Sequence, residues 1–547
     1  VRKEDKGPKL VKSAPIARVS AEELAKKQRE ISVSEFFTKN RHLLGFDNPS
    51  RALLTAVKEA VDNSLDACEE AGILPEVDIE IKELSEDRFL LRVSDNGPGI
   101  VKQQIPRVFG KLLYGSKFHT MKQARGQQGI GISAVCLYSQ LTTGKPMKIV
   151  SRVDEKKPAH SMEVMIDANK NEPRVANEKD IESWKRSHGT TVEVELEGRY
   201  QKGDKSVDEY VTQTALANPH VKIVYHPPGQ DATKVVHDRI SKEFPKEARA
   251  IKPHPYGVEL GQLMKIVQSS SGRNLLGCLK NEFSRVSEKI ATEICAAASL
   301  DPKLKPSEMT PAQFDALHKG ILKTKIMSPP TDCISPIGED QILKALQARV
   351  QADFYAAVTR PPAVYRGNPF QIELGIAYGI KEFPPDETAK LTRFANRVPL
   401  LYQPGACAIT ESVEEVDWKK YGLAQSKGQV PTAPMLVMVH MASVWVPFTS
   451  EAKEAIAHYP EIIKEIKLGA QECGRQLSIH VNRKKREAYE QHRRSIFEKY
   501  IEEVSTSLHE LSGANREKIR KQLLSMARSF TKQMEREDSK LQEEGKE

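Results

Sequence analysis

The nonapeptide EAVDNSLDA, residues 59–67, sets a carboxylate and an amide, Glu59 and Asn63, one helical turn apart. The helical period around it starts at Pro49 and stops at Gly72. At 100° per residue, Val57, Val61, Leu65 and Cys68 fall on one stripe, and Glu59, Asp62, Asn63 and Asp66 fall opposite it. Taken alone, that polar face is the solvated side of an amphipathic helix. Two later stretches give it partners.

In RFLLRVSDNGPGI, residues 88–100, alternation at Phe89, Leu91 and Val93 predicts a strand that delivers Asp95 to a glycine turn. Asn-Gly after alternating apolar residues usually signals a hairpin. The following VKQQIPRVF does not alternate, so no returning strand is expected. Gly97 and Gly99 suggest instead a backbone that something approaches closely. In ARGQQGIGISAVCLYSQL, residues 124–141, Gly126, Gly129 and Gly131 lead straight into an apolar helix. Unpaired N–H groups and the helix dipole at such a start suit an anion. GKLLYGSK, residues 110–117, imitates a phosphate-binding P-loop, but Ser116 and Lys117 stand in the inverted order, which excludes it.

The remaining chain frames these three elements. Its 547 residues predict three or four domains. A charged fraction of 29% and the lack of any long apolar run argue for a soluble protein. The most apolar stretch, MLVMVHMASVWVPF at 435–448, contains His440 and reads as a core strand. The net charge of +9 is compatible with an acidic partner such as DNA, although diffuse charge is weak ground for one. The seven cysteines are scattered singly, which reads as buried free thiols in a reducing cytoplasm.

Helices at 34–71 and the strands VDIEIKEL, RFLLRVS, KPMKIVSRV, HSMEVMID and TTVEVELEG predict an N-terminal α/β domain with a mostly antiparallel sheet. Proline and charge crowd residues 227–256, which reads as a linker. From about 257 to 326 the pattern is helical without strands. FQIELGIAYG, PLLYQ and APMLVMVHMASVWVPF open a third, strand-bearing region, and residues 460–540 read as long helices. Within them the basic run Arg483-Lys484-Lys485-Arg486 suits either DNA phosphates or an acidic docking surface. The expected fold class is therefore α+β and multidomain. Its parts are a basic tail at 1–20, an α/β domain at 21–250, an all-α insert at 251–326, an α/β domain with a helical arm at 327–500, and a helical extension at 501–547.

Helix-borne Glu and Asn, then DNGPGI, then a glycine loop entering a helix: this order resembles the GHKL ATPases, the gyrase-type topoisomerases, heat-shock chaperone, histidine kinases and MutL among them. The resemblance implies an ATPase sandwich that uses ATP and Mg²⁺. Asn63 would offer its amide oxygen to Mg²⁺, a hard cation suited to oxygen ligands. Glu59 would polarise the attacking water as general base. Asp95 would accept a hydrogen bond from the adenine amino group, with Gly97 and Gly99 letting the base lie against the backbone. Residues 110–128 would form a lid. Around the phosphates would stand Ser116, Lys117, Gly126, Gln127, Gln128, Gly129, Ile130, Gly131, Ile132 and Ser133.

Outside that core, the all-α stretch resembles the helix–two-turns–helix insert of the topoisomerase VI B-subunit family. TDCISPIGED, VTRPPAVYRGNPFQIELGIAYG, RFANRVPLLYQ and VDWKKYG resemble its transducer, and the likeness runs from about residue 34 to 500. It implies a type IIB topoisomerase component: ATP-driven homodimerisation closes a gate on double-stranded DNA, and a separate A subunit cleaves the duplex that is opened for passage. It also implies an A₂B₂ heterotetramer, a cytoplasmic, nucleoid-associated location, and an arm whose far end docks the A subunit. Lys453 in VPFTSEAKE would reach the γ-phosphate as a second catalytic group, and the pattern places it at the start of a helix. Two positions depart from the family. Ser133 stands where a lysine is frequent, and Val444-Trp445 where Thr-Lys is. A MutL-like repair clamp is the alternative, against which the helical insert counts. A helix–two-turns–helix DNA-binding protein without catalysis would leave the ATPase constellation unexplained.

Overall fold

A computed structural model of the chain describes residues 20–526, apart from 27, 29–30, 116–119, 127–128, 230–231 and 451. The basic tail, Ser116, Lys117, Gln127, Gln128 and everything beyond 526 lie outside the described residues. The chain divides into two units, one comprising residues to 119, 126–211 and 222–237, the other 120–125, 212–221 and 238 onward.

In the first unit, helices α1 (Ala21–Ala25), α2 (Val33–Lys39) and α3 (Pro49–Glu70) precede strands β1 (Glu76–Ser85) and β2 (Arg88–Ser94). Helices α4 (Ile105–Gly110) and α5 (Gly131–Thr143) then lead to β3 (Met147–Arg152), β4 (Ala159–Asp167), β5 (Glu172–Ile181) and β6 (Gly189–Glu197). After α6 (Val207–Ala217), whose last residues belong to the second unit, come β7 (Lys222–His226) and β8 (Val235–His237). The eight strands run in the order β5-β4-β3-β6-β2-β1-β7-β8, all pairs antiparallel except β1–β7. β8 falls inside the stretch read as a linker; pairing with β7 makes part of that stretch an edge strand.

The start of α3 is fixed by Asn48, whose side chain accepts from the Ser50 N–H, and by Pro49 in the first turn, where its missing N–H costs nothing. Buried Leu53, Val57, Val61 and Leu65 hold the helix to the sheet. VKQQIPRVF turns into α4, as its lack of alternation required.

In the second unit, α7 (Leu260–Ser269), α8 (Leu275–Glu282), α9 (Glu288–Ala297) and α10 (Pro311–Lys323) surround their own core of Leu263, Leu279, Ile294, Phe314 and Leu317. They are followed by α11 (Glu339–Arg349), β9 (Phe354–Thr359), β10 (Ala363–Tyr365) and β11 (Asn368–Tyr378). Next come β12 (Lys390–Ala395), β13 (Val398–Pro399), α12 (Ala408–Glu414), β14 (Met435–Ser443) and α13 (Pro460–Ser512). The sheet order is β10-β11-β14-β12-β13, with β9 beside β11. All nine residues of β14 are buried, because the strand is central and covered on both faces. Of PLLYQ only Pro399 is strand, as the second residue of β13. The helix α13 spans 53 residues, and Ile462, Ile466, Ala470, Cys473, Leu477 and Val481 bury its first half in the sheet's core. All seven cysteines are buried and none forms a disulfide. Among the described residues, no helix is long and apolar enough to cross a membrane.

Candidate active site

The helix, the strand end and the glycine loop read from the sequence meet in the first unit. Glu59 points its carboxylate at Gly131, the first residue of α5: a Cβ built on Gly131 would stand 1.7 Å from Glu59 Oε2. One turn on, Asn63 faces Gly126, where a Cβ would stand 3.9 Å from Asn63 Oδ1. Carboxylate and amide therefore look onto the two ends of the glycine loop. This face is only partly solvated, with Glu59 and Asn63 half-buried. Asp62 and Asp66 are buried, and Asp62 accepts a hydrogen bond from the Tyr210 hydroxyl at 3.0 Å.

Asp95 immediately follows β2, where the alternation of that strand placed it, and is buried. Its Oδ1 accepts from the Gly97 N–H at 2.9 Å and the Thr190 N–H at 3.0 Å, and its Oδ2 accepts from Ser64 Oγ at 3.0 Å. Burial pushes its carboxyl above the ordinary aspartate range, while those three donors pull in the opposite direction. Oδ2 keeps a lone pair for one further donor. Gly99 has φ +71°, and a Cβ there would lie 2.0 Å from the Arg152 carbonyl oxygen, so only glycine fits. Gly97 leaves 3.0 Å between its virtual Cβ and Asp95 Oδ1.

At the helix start, Ile130 is the N-cap of α5 and Ile132 is buried in its first turn. Gly129 adopts φ +63° just before. Ser133 is buried, with its hydroxyl donating to the Ile130 carbonyl at 2.8 Å, so its side chain serves the helix turn. The N–H groups of that first turn are of the kind that suits an anion.

Lys453 belongs to the second unit and, contrary to the pattern of its sequence, does not start a helix. Helix α13 begins seven residues later, at Pro460, and Lys453 sits in a turn closed by Thr449 N to Ala455 O at 2.9 Å. Its φ of +55° is incompatible with helix. Its Nζ lies 3.5 Å from the carbonyl oxygen of Arg125, the residue that immediately precedes Gly126. The basic run 483–486 is also less available than its charge suggests. Arg483 pairs with Glu487, Lys484 with Asp353, and Lys485 donates to the Gly422 carbonyl.

Sequence reasoning missed Ser64 and Thr190, which hold Asp95, and His188, whose Nδ1 is 2.8 Å from the Gly97 carbonyl. Ser64 was adjacent to Asn63 in the quoted stretch; Thr190 was legible only as the start of the strand TTVEVELEG, and His188 gave no signal of its own. Among the described residues no cluster of three or more His, Cys, Asp or Glu is placed to hold a metal. An amide such as Asn63 beside the glycine loop suits Mg²⁺ in another way, since that ion commonly takes few protein oxygens and fills the rest of its shell with phosphate and water.

Residues 48–199 match the family described as histidine kinase-, DNA gyrase B- and HSP90-like ATPase, and residues 329–493 match the topoisomerase VI B subunit transducer. The type 2 DNA topoisomerase 6 B subunit of Methanococcoides burtonii is 51% identical over 472 residues, covering 86% of this chain and 75% of the relative. The corresponding protein of Archaeoglobus fulgidus is 48% identical, covering 84% and 76%. That of Pyrococcus furiosus is 37% identical over 557 residues, covering 93% and 96%. With a GHKL-type ATPase region, a transducer and this identity over most of its length, the chain belongs to the family of type 2 DNA topoisomerase 6 B subunits.

Proposed function

We propose that this chain binds and hydrolyses ATP and, with a DNA-cleaving A subunit in an A₂B₂ assembly, drives passage of one DNA duplex through another. The observation that carries the reading is the pair of close approaches in the first unit: Glu59 against Gly131 and Asn63 against Gly126, at the N-terminus of α5. The phosphates lie along the glycine loop, where the α5 N–H groups offset their charge. Glu59 takes a proton from the attacking water. Bound Mg²⁺ supplies charge neutralisation at the phosphate oxygens, and Asn63 would hold it. Asp95 Oδ2 accepts from the adenine amino group, and the base lies over Gly97 and Gly99. Lys453 senses the γ-phosphate and couples its presence to dimerisation.

The test combines two measurements. Glu59→Ala should abolish hydrolysis while leaving affinity for a fluorescent ATP analogue within a few-fold, because it removes the base and no nucleotide contact. The wild-type chain should relax supercoiled DNA in the presence of ATP only when mixed with a topoisomerase VI A subunit. Wild-type hydrolysis by Glu59→Ala refutes the assignment of the base, and relaxation by this chain alone refutes the division of labour.

A further inference from the structure

The segment that enters the glycine loop, Gln123-Ala124-Arg125, is held residue by residue within the second unit. The Gln123 side chain donates from Nε2 to the Ser335 carbonyl at 3.0 Å and accepts from the Ser335 N–H at 2.7 Å, copying a strand bridge. Asn396 Nδ2 donates to the Ala124 carbonyl at 3.0 Å and to the Ser443 carbonyl at 3.0 Å, while its Oδ1 accepts from the Ser443 N–H at 2.9 Å. Arg125 reaches Asn218 Oδ1 at 2.6 Å, and its carbonyl is the one facing Lys453.

Behind these contacts lies a fully buried carboxylate–imidazole pair, Glu373 on β11 and His440 on β14, 2.8 Å apart. Glu373 also accepts from the N–H groups of Ile337 and Gly338 and from the Thr359 hydroxyl. His440 Nε2 accepts the Arg397 N–H at 2.9 Å, which leaves the ring proton on Nδ1, facing Glu373. Arg397 in turn donates to the Ser335 and Pro336 carbonyls. Asn396 and Arg397 both hold left-handed backbone, φ +48° and +66°, which side-chain-bearing residues rarely adopt, so contacts must impose this turn.

A buried carboxylate hydrogen-bonded to a neutral imidazole is a poor source of net stability compared with apolar packing, and the best-supported use of such buried polar groups is to specify one arrangement. Here the arrangement specified is the direction of Asn396, and through it the register of Ala124. We propose that Glu373, His440 and Asn396 are positioning residues for ATP hydrolysis, holding residues 123–125 so that Lys453 is seated on the Arg125 carbonyl beside the entry to the glycine loop. This rests on the ATPase reading above. None of the three touches the nucleotide; they act through the segment.

Asn396→Gly tests it, since glycine accepts the left-handed backbone and removes only the amide. We expect kcat to fall roughly tenfold, as misplacement of a reactive group by a distant change can do, with KM moved less than about twofold. Combined with Lys453→Ala, it should cost nothing beyond Lys453→Ala alone, because both disable one device. Multiplying losses in that cycle, or an unchanged kcat in Asn396→Gly, overturns the proposal. Gln123→Ala, at a half-buried loop position, supplies the same cycle should Asn396→Gly fail to fold, with the same non-additivity expected and additivity again overturning it. Glu59→Ala separates the two levels. Wild-type hydrolysis by that variant sinks the ATPase reading itself; an inactive Glu59→Ala beside a fully active Asn396→Gly sinks only the positioning role.

Discussion

Gly131→Ala should silence hydrolysis without unfolding the protein. The new methyl would lie 1.7 Å from Glu59 Oε2, 2.6 Å from its carboxyl carbon and 3.3 Å from Cγ. All three atoms belong to the far end of a flexible side chain, so the backbone can stay while the carboxylate leaves. Driving Glu59 from its rotamer costs about 0.5–1.5 kcal/mol. Replacing glycine by alanine at a helical position returns up to roughly 1 kcal/mol. The net change in stability is therefore within about 1 kcal/mol, a shift of a few degrees in Tm for a unit of this size. The lost base is a different matter, since a positioned general base contributes roughly 10²–10⁴-fold. A coupled ATPase assay should show kcat falling by that order, bounded by Glu59→Ala, with a thermal melt close to wild type. Near-wild-type hydrolysis would mean that the carboxylate need not stand at Gly131. Lost affinity for a fluorescent ATP analogue, with no separate effect on kcat, would mean that Gly131 serves phosphate approach and not Glu59.

Asp95→Asn should weaken analogue binding about 10- to 150-fold, the value of one hydrogen bond to a charged group at roughly 1.5–3 kcal/mol. Its Oδ1 can still accept from Gly97 and Thr190, but an Nδ2 facing the adenine amino group sets donor against donor; an unchanged titration curve would remove Asp95 from adenine recognition. Because burial raises the Asp95 carboxyl, it takes up a proton at higher pH than an ordinary aspartate as the solution is acidified. The folded first unit gains from that uptake, with the contribution complete below the unfolded aspartate value and lost as pH rises through the raised one. Wild-type nucleotide affinity should move oppositely, falling on acidification through this window, whereas Asp95→Asn should show no such component; parallel pH profiles would refute the assignment. Cutting the chain after Pro460 should unfold the second unit. It removes six buried apolar side chains of α13 from the core, on the order of 10 kcal/mol at roughly 1.5–3 kcal/mol each, comparable with a whole domain's stability. A cut after Glu487 leaves those residues in place and should retain ATPase activity while losing the A subunit in co-sedimentation; retained binding would place the docking surface elsewhere.

The site was legible where one residue type at one spacing answers a single chemical need. Glu59, Asn63 and the loop glycines could be joined because a helix period and a glycine-to-helix transition are local signals, and each survives folding unchanged. What failed depended on long-range partners. The polar face of α3 looked solvated because nothing near Asp62 in sequence announces Tyr210, 148 residues away. Ser64 and Thr190 escaped notice because the Ser64 hydroxyl becomes specific only once α3 packs on β2, and the Thr190 N–H only once β6 lies beside β2. Lys453 was drawn into a helix by the helix-forming EAKEAIA run that surrounds it, yet tertiary closure of the Thr449–Ala455 turn overrides propensity there. The basic run at 483–486 shows the same limit in electrostatics. Its charges are real in the sequence, but Asp353 and the Gly422 carbonyl arrive from elsewhere in the fold and occupy Lys484 and Lys485. An acidic partner of α13 would have to displace those contacts or bind further along the helix. Apart from Ile479, the exposed large apolar side chains of α13 lie there, Tyr489, Ile496, Phe497 and Tyr500 among them, which makes the outer half of α13 the segment to probe for docking.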